Sequence, residues 1–183
     1  MPSPDDVLAG AALADAVREV ERHVAAAGWD APVRVFALVR TAAALAAEPA
    51  LADQLDAAVL EGARHQPWHL TSVEQEGLPA AVDLEQLLAS LAWPPTVDGV
   101  ALTVERVVLP PAAEEGLPAD PAAAQAALLD HPDRQDVRMA VGVLRTGHAW
   151  CAVRTRANDV DDQVLQGSDL VPGLVEALRA TLD

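Results

Sequence analysis

The chain has no lysine, no isoleucine and no tyrosine, and only one phenylalanine and one cysteine among its 183 residues. A lone cysteine, Cys151, excludes an internal disulfide, so nothing in the chain calls for an oxidising compartment. No run approaches the roughly 18 apolar residues that a membrane-crossing helix needs. The opening MPSPDD places acids where a secretory leader carries positive charge. Together these absences predict a cytoplasmic protein, neither embedded in a membrane nor exported by a standard signal. The missing lysine also means that every one of the twelve basic residues is arginine. GC-rich coding favours that choice, so an arginine at any one position says less about bidentate chemistry than it usually does.

Familiar chemical motifs are missing as well. The ten glycines are scattered, and none belongs to the GxGxxG or GxxxxGK loops that cradle phosphates. Ser3, Ser72, Ser90 and Ser168 lie outside any G-x-S-x-G elbow. Asp159, Asp161 and Asp162 in DVDDQ have neither the glycine nor the distal glutamate of a calcium loop. His65 and His69 in HQPWH have the i, i+4 spacing of a metal-binding helix. Pro67 breaks that helical face, however, and no HExxH glutamate or third ligand accompanies them. Cys151, between Trp150 and Ala152, reads as part of a buried strand rather than as a nucleophile. No catalytic residue, metal or cofactor is expected from these patterns.

What the chain does have is apolar bulk and negative charge. Hydrophobic residues make up 51%, mostly Ala, Val and Leu, enough in a chain of this length to bury about two thirds of the unfolded surface around one core. A single domain, 1–183, is expected. The formal net charge of -16 repels nucleic acid and anionic lipid at long range, so neither is an expected partner.

Along the chain, Leu8, Leu13, Val17, Val20 and Val24 mark an amphipathic helix from Asp5 to Ala27, which Gly28 ends. The inner half of VRVFALVR, from Val33 to Arg40, is apolar on both faces and predicts an interior strand. Thr41 heads a short helix, and Ala50 to Leu60 suits another. From Glu61 to Ala81 the periodicity fails, and Gly62, Pro67, Gly77 and Pro79 predict a long loop carrying Trp68. A helix from Asp83 to Leu91 leads through Trp93-Pro94-Pro95 into a strand from Gly99 to Leu109. Arg106 interrupts the apolar row of that strand, as a bulge or an edge position would explain. Asp120 and Pro121 begin a helix to about Leu129. Strands Asp136 to Arg145 and His148 to Arg156 form a hairpin through Thr146-Gly147, and a helix from Leu170 to Leu182 closes the chain. The predicted fold class is therefore α+β. It has a roughly four-stranded antiparallel or mixed sheet, helices packed mainly on one face, and a C-terminal β-hairpin followed by a terminal helix.

Four segments, VREVERHVAAAGWDAPVRVFALV, LAWPPTVDGVALTVERVVLPP, HPDRQDVRMAVGVLR and DLVPGLVEALRATL, together resemble a family of uncharacterised actinobacterial proteins. The resemblance spans most of the chain and implies an actinobacterial, cytoplasmic protein; it brings no assigned activity, cofactor or site residue. A looser likeness in element order is to small α+β chaperone-like domains that bind peptide segments of client proteins.

Two functional expectations follow. In the first, Arg138, Arg154 and Arg156 on the hairpin, with Arg34, Arg106 and Trp150, give an uncovered sheet face a positive surface. The protein is then a non-enzymatic interaction module, adaptor or chaperone-like, binding another protein or a second copy of itself. In the second, it is a small-ligand binder or enzyme whose pocket lies under the loop from Gly62 to Ala81, with His65, Trp68 and His69 reaching in.

Overall fold

The computed structural model describes residues 1–81 and 83–183. It begins with α1 (Pro4–Ala25), β1 (Arg34–Arg40), α2 (Thr41–Ala47), α3 (Ala57–His65) and β2 (Leu70–Glu74). Then come α4 (Leu84–Ala89), β3 (Gly99–Val108), α5 (Pro111–Glu114) and α6 (Pro121–Asp130). β4 (Gln135–Leu144), β5 (Ala149–Thr155), β6 (Leu165–Gly167) and α7 (Pro172–Ala180) complete it. The strands form one open antiparallel sheet in the order β2-β1-β3-β4-β5-β6.

The sheet has six strands where the sequence pattern predicts four. β2, LTSVE, lies inside the segment expected to be a loop and pairs with β1 from Phe36↔Glu74 to Arg40↔Leu70. It is an edge strand with mostly half-exposed side chains, so its residues carry no apolar alternation. β6 is only three residues long, too short for any pattern to emerge. The β4–β5 hairpin turns at Gly147, whose φ of 94° is the left-handed conformation that glycine adopts without cost. β3 pairs with β4 without interruption from Gly99↔Leu144 to Val108↔Gln135, which excludes a bulge at Arg106. Pairing with β1 stops at Thr103, so Arg106 stands on a length of β3 with no strand on that side.

Helices cover both faces of the sheet, not one. α1 starts with a capping box: the Ser3 hydroxyl accepts the Asp6 N–H at 3.1 Å, and the Asp6 carboxylate accepts the Ser3 N–H at 3.0 Å. Its buried stripe, Ala9, Leu13, Val17, Val20 and Val24, packs against Phe36, Leu38, Ala101, Ala140 and Ala152. The side chains in the middle of that face are small, which lets the helix lie close to the sheet. On the other face stand the bulkier Val35, Val100, Leu102, Val141 and Val143, covered by Leu87 and Leu88 of α4 and by Val175 and Leu178 of α7. Leu182, just beyond α7, joins this second layer.

Candidate functional site

Arg138 and Arg154 lie beneath α1, only 1% and 2% exposed, and not on an uncovered face. Two consecutive antiparallel strands place them opposite each other in register, Arg138↔Arg154, and each is paired with carboxylates of its own. The Arg154 guanidinium donates to both oxygens of the buried Glu21 carboxylate, at 2.6 and 2.9 Å, and to Asp159 and Asp161 at 3.1 and 2.6 Å. Donating hydrogen bonds to Glu21 holds the Arg154 pKa above its ordinary value. Arg138 donates to Glu105 at 2.9 Å and to the Gly28 carbonyl, with its guanidinium 4.4 Å from the Trp29 ring centroid. Arg156 makes a two-pronged contact with Asp30 at 3.0 and 2.8 Å and reaches Asp136 at 3.7 Å. The three arginines thus meet six carboxylates, and the cluster is net negative. It pins α1, the Trp29 turn and the segment after β5 to one end of the sheet.

The other arginines expected on that surface also sit elsewhere. Arg34 pairs with Glu74 of β2 at 2.9 Å. Arg106 points to the opposite side of the sheet, towards α4 and α7. Trp150 is half-buried in the α1 layer, and its indole nitrogen has no hydrogen-bond partner among the described residues.

His65, Trp68 and His69 have different surroundings among the described residues. His65 lies exposed on α3 and contacts Glu61, one turn back, at 2.6 Å. His69 turns inward, its Nδ1 2.8 Å from the Thr41 hydroxyl, and that hydroxyl lies 2.7 Å from the one of Thr71. The His69 ring occupies the space where a Cβ on Gly62 would stand, 2.6 Å from its Cδ2, so it wedges α3 against the edge of the sheet. Trp68 packs into the α1 layer, with the Arg40 guanidinium 4.9 Å from its ring centroid. Among the described residues, no group of three or more His, Cys, Asp or Glu side chains is arranged to hold a metal ion. Cys151 is fully buried on the α7 side of β5, and loss of water there pushes its thiol pKa up, as expected of a structural cysteine.

A groove lies between α4 and α7, about 700 Å³ in volume and floored by Val104 and Met139. Leu84, Leu88 and Leu91 form one wall at helical spacing, and Leu174 and Ala177 face them from α7. Three polar side chains enter this lining: Glu85, Thr181 and Arg106. α4 and α7 are short, and each buries two residues in the second layer, Leu87 and Leu88 of α4 and Val175 and Leu178 of α7. The groove was not legible as a site in the sequence, since its parts are 84–91, 104–106, 139 and 173–181. The one local signal was Arg106, a charge standing in an otherwise apolar row.

Arg106 is one of four arginines that form no ion pair among the described residues. Eight of the twelve form ion pairs with carboxylates. Of the others, Arg145 is engaged by the carbonyl oxygens of Val97, Trp93, Pro94 and Leu182. Arg22 and Arg134 each bond to a helix carbonyl. Among the described residues, the hydrogen bond that Arg106 makes is to its neighbour's carbonyl, Glu105 O, at 3.2 Å. Arg106 is exposed and stands in the groove lining.

The model of the PPA1309-like protein family matches residues 13–183, from within α1 to the last residue, and the chain belongs to this uncharacterised family. No curated protein and no solved structure matches the chain.

Proposed function

We propose that the chain works as one α+β domain whose task is binding rather than catalysis, and that the groove between α4 and α7 is the binding site for a small, largely apolar molecule. The observation that carries this reading is a concave apolar surface of about 700 Å³ in which leucines from two elements stay partly open to solvent. Sites for small ligands are typically concave, mostly apolar and about 300–1,000 Å³ in size, with a few polar groups that fix orientation. Leaving such a surface wet is costly, at about 25 cal/mol per Å² of apolar area, and an occupant removes that cost. The lining offers one guanidinium, one carboxylate and one hydroxyl and no histidine or cysteine, a composition suited to orientation more than to bond-making.

This reading keeps the non-enzymatic part of the interaction-module expectation and moves the surface away from the hairpin arginines. It keeps the ligand-pocket alternative but places the pocket between α4 and α7 instead of under 62–81. A titration with the neutral fluorescent probe N-phenyl-1-naphthylamine tests it. The wild-type protein is expected to give saturable, one-site enhancement, and Ala177→Trp to lose it, because Ala177 is an exposed groove residue where a large side chain fills the space without entering the core. Retained binding in an Ala177→Trp protein of unchanged circular dichroism would place the site elsewhere.

A further inference from the structure

Resting on that reading of the groove, we infer that its occupant is an apolar molecule bearing a carboxylate, such as a medium-chain fatty acid, with the carboxylate held by Arg106 and the apolar body lying along Leu84, Leu88 and Leu174. The argument is one of charge complementarity. The chain has 28 acidic residues against twelve arginines, so a carboxylate partner for any one arginine is easily supplied from within. Eight arginines have one; among the described residues Arg22, Arg106, Arg134 and Arg145 do not, and of these four it is Arg106 that stands in the groove lining. The planar guanidinium presents a fork of donors that matches a carboxylate, and with one bond made to Glu105 O it keeps donors free for another acceptor.

The same observations decide against other occupants. A second copy of this chain brings a net charge of -16 to a surface on a molecule of the same charge, and an acidic partner protein faces the same repulsion. A single carboxylate on a small molecule feels that field over little more than the Debye length, about 8 Å at physiological salt, and then meets Arg106 directly. Glu85, the one carboxylate in the lining, disfavours a second negative charge and so points to a monoanion. Bidentate recognition needs the fork itself, so lysine at this position would be a poorer substitute.

Decanoate and decan-1-ol, which share a chain and differ in the head group, test this when each is used to displace N-phenyl-1-naphthylamine from wild-type protein, Arg106→Gln and Arg106→Lys. Wild type is expected to prefer decanoate by about tenfold, which corresponds to about 1.4 kcal/mol. Arg106→Gln should bring decanoate to the level of decan-1-ol without weakening the alcohol, and Arg106→Lys should restore part of the preference. Arg106 is exposed and bonds to its neighbour's carbonyl, so these variants are expected to keep the fold, which circular dichroism checks. Equal displacement by acid and alcohol in wild type, or a preference that survives Arg106→Gln, overturns the carboxylate inference while leaving the groove as a binding site. Failure of the probe to bind wild type, or its full retention in Ala177→Trp, overturns both.

Discussion

At the scale of single residues, the chain spends its few cations on fastening. Arg154 and Glu21 are both buried, and a charge removed from water is tolerated only when its partner and further hydrogen bonds stay in place. Arg154→Ala leaves Glu21 uncompensated beneath α1 and should cost about 3–5 kcal/mol, as is usual when one half of a buried pair is deleted. The double variant Glu21→Leu/Arg154→Leu should lose clearly less, and urea denaturation of all three proteins gives the comparison. Asp159 belongs to the same cluster. A hydrogen bond from the Trp29 indole, at 2.9 Å, and then the Arg154 guanidinium hold its carboxyl below the usual carboxylate range. A depressed folded-state pKa contributes stability that is complete above the unfolded value, about 3.9, and is lost as pH falls through the folded value. Asp159→Asn should therefore lower the urea midpoint at pH 7 and narrow its gap to wild type below about pH 3.5. A gap that is constant with pH would mean that the Asp159 charge contributes nothing.

At the scale of elements, the closeness of α1 to the sheet depends on a residue with no side chain. Gly142 of β4 faces α1, and a Cβ there would lie 2.5 Å from Val17 Cγ2 and 3.0 Å from Leu13 Cδ1. Gly142→Ala should force the helix outward and destabilise the protein by about 1–3 kcal/mol, the range for overpacked cores. A thermal melt reads the loss, and an unchanged midpoint would show that α1 is loosely seated. The elements that the sequence made legible were those with long periodic signals. α1 has five apolar positions on one stripe, β1 is apolar on both faces and lies inside the sheet, and Thr146-Gly147 turns the β4–β5 hairpin. The elements it hid were short or lay at an edge. β2 carries its pairing in the backbone while its side chains stay half-exposed, and β6 has too few residues to alternate. Covering of the second face was also hidden, because α4 and α7 contribute only a few buried positions each and neither announces which side of the sheet it will meet.

At the scale of the whole molecule, charge and apolar surface are sorted to different places. One end of the sheet holds the arginine and carboxylate cluster around Trp29, while the groove between α4 and α7 is mostly apolar, with Arg106 and Glu85 as the charged residues of its lining. Arg138 and Arg154, which look like a surface in one dimension, are buried in three and held by carboxylates, while Arg156 stays exposed and pairs with Asp30. Conversely, the groove is invisible along the chain because about a hundred residues separate its two walls, and no local pattern records that they will meet. Fold class was thus legible from local periodicity, whereas the candidate site is a product of tertiary packing.

The most direct test of the groove is a chemical-shift map of the isotope-labelled protein titrated with decanoate. The account predicts saturable shifts confined to 84–91, to Val104 and Arg106 on β3, to Met139 and to 173–181, with the same residues silent in Ala177→Trp. Shifts centred on His65, Trp68 and His69, or on the Arg138 and Arg154 end of the sheet, would contradict it.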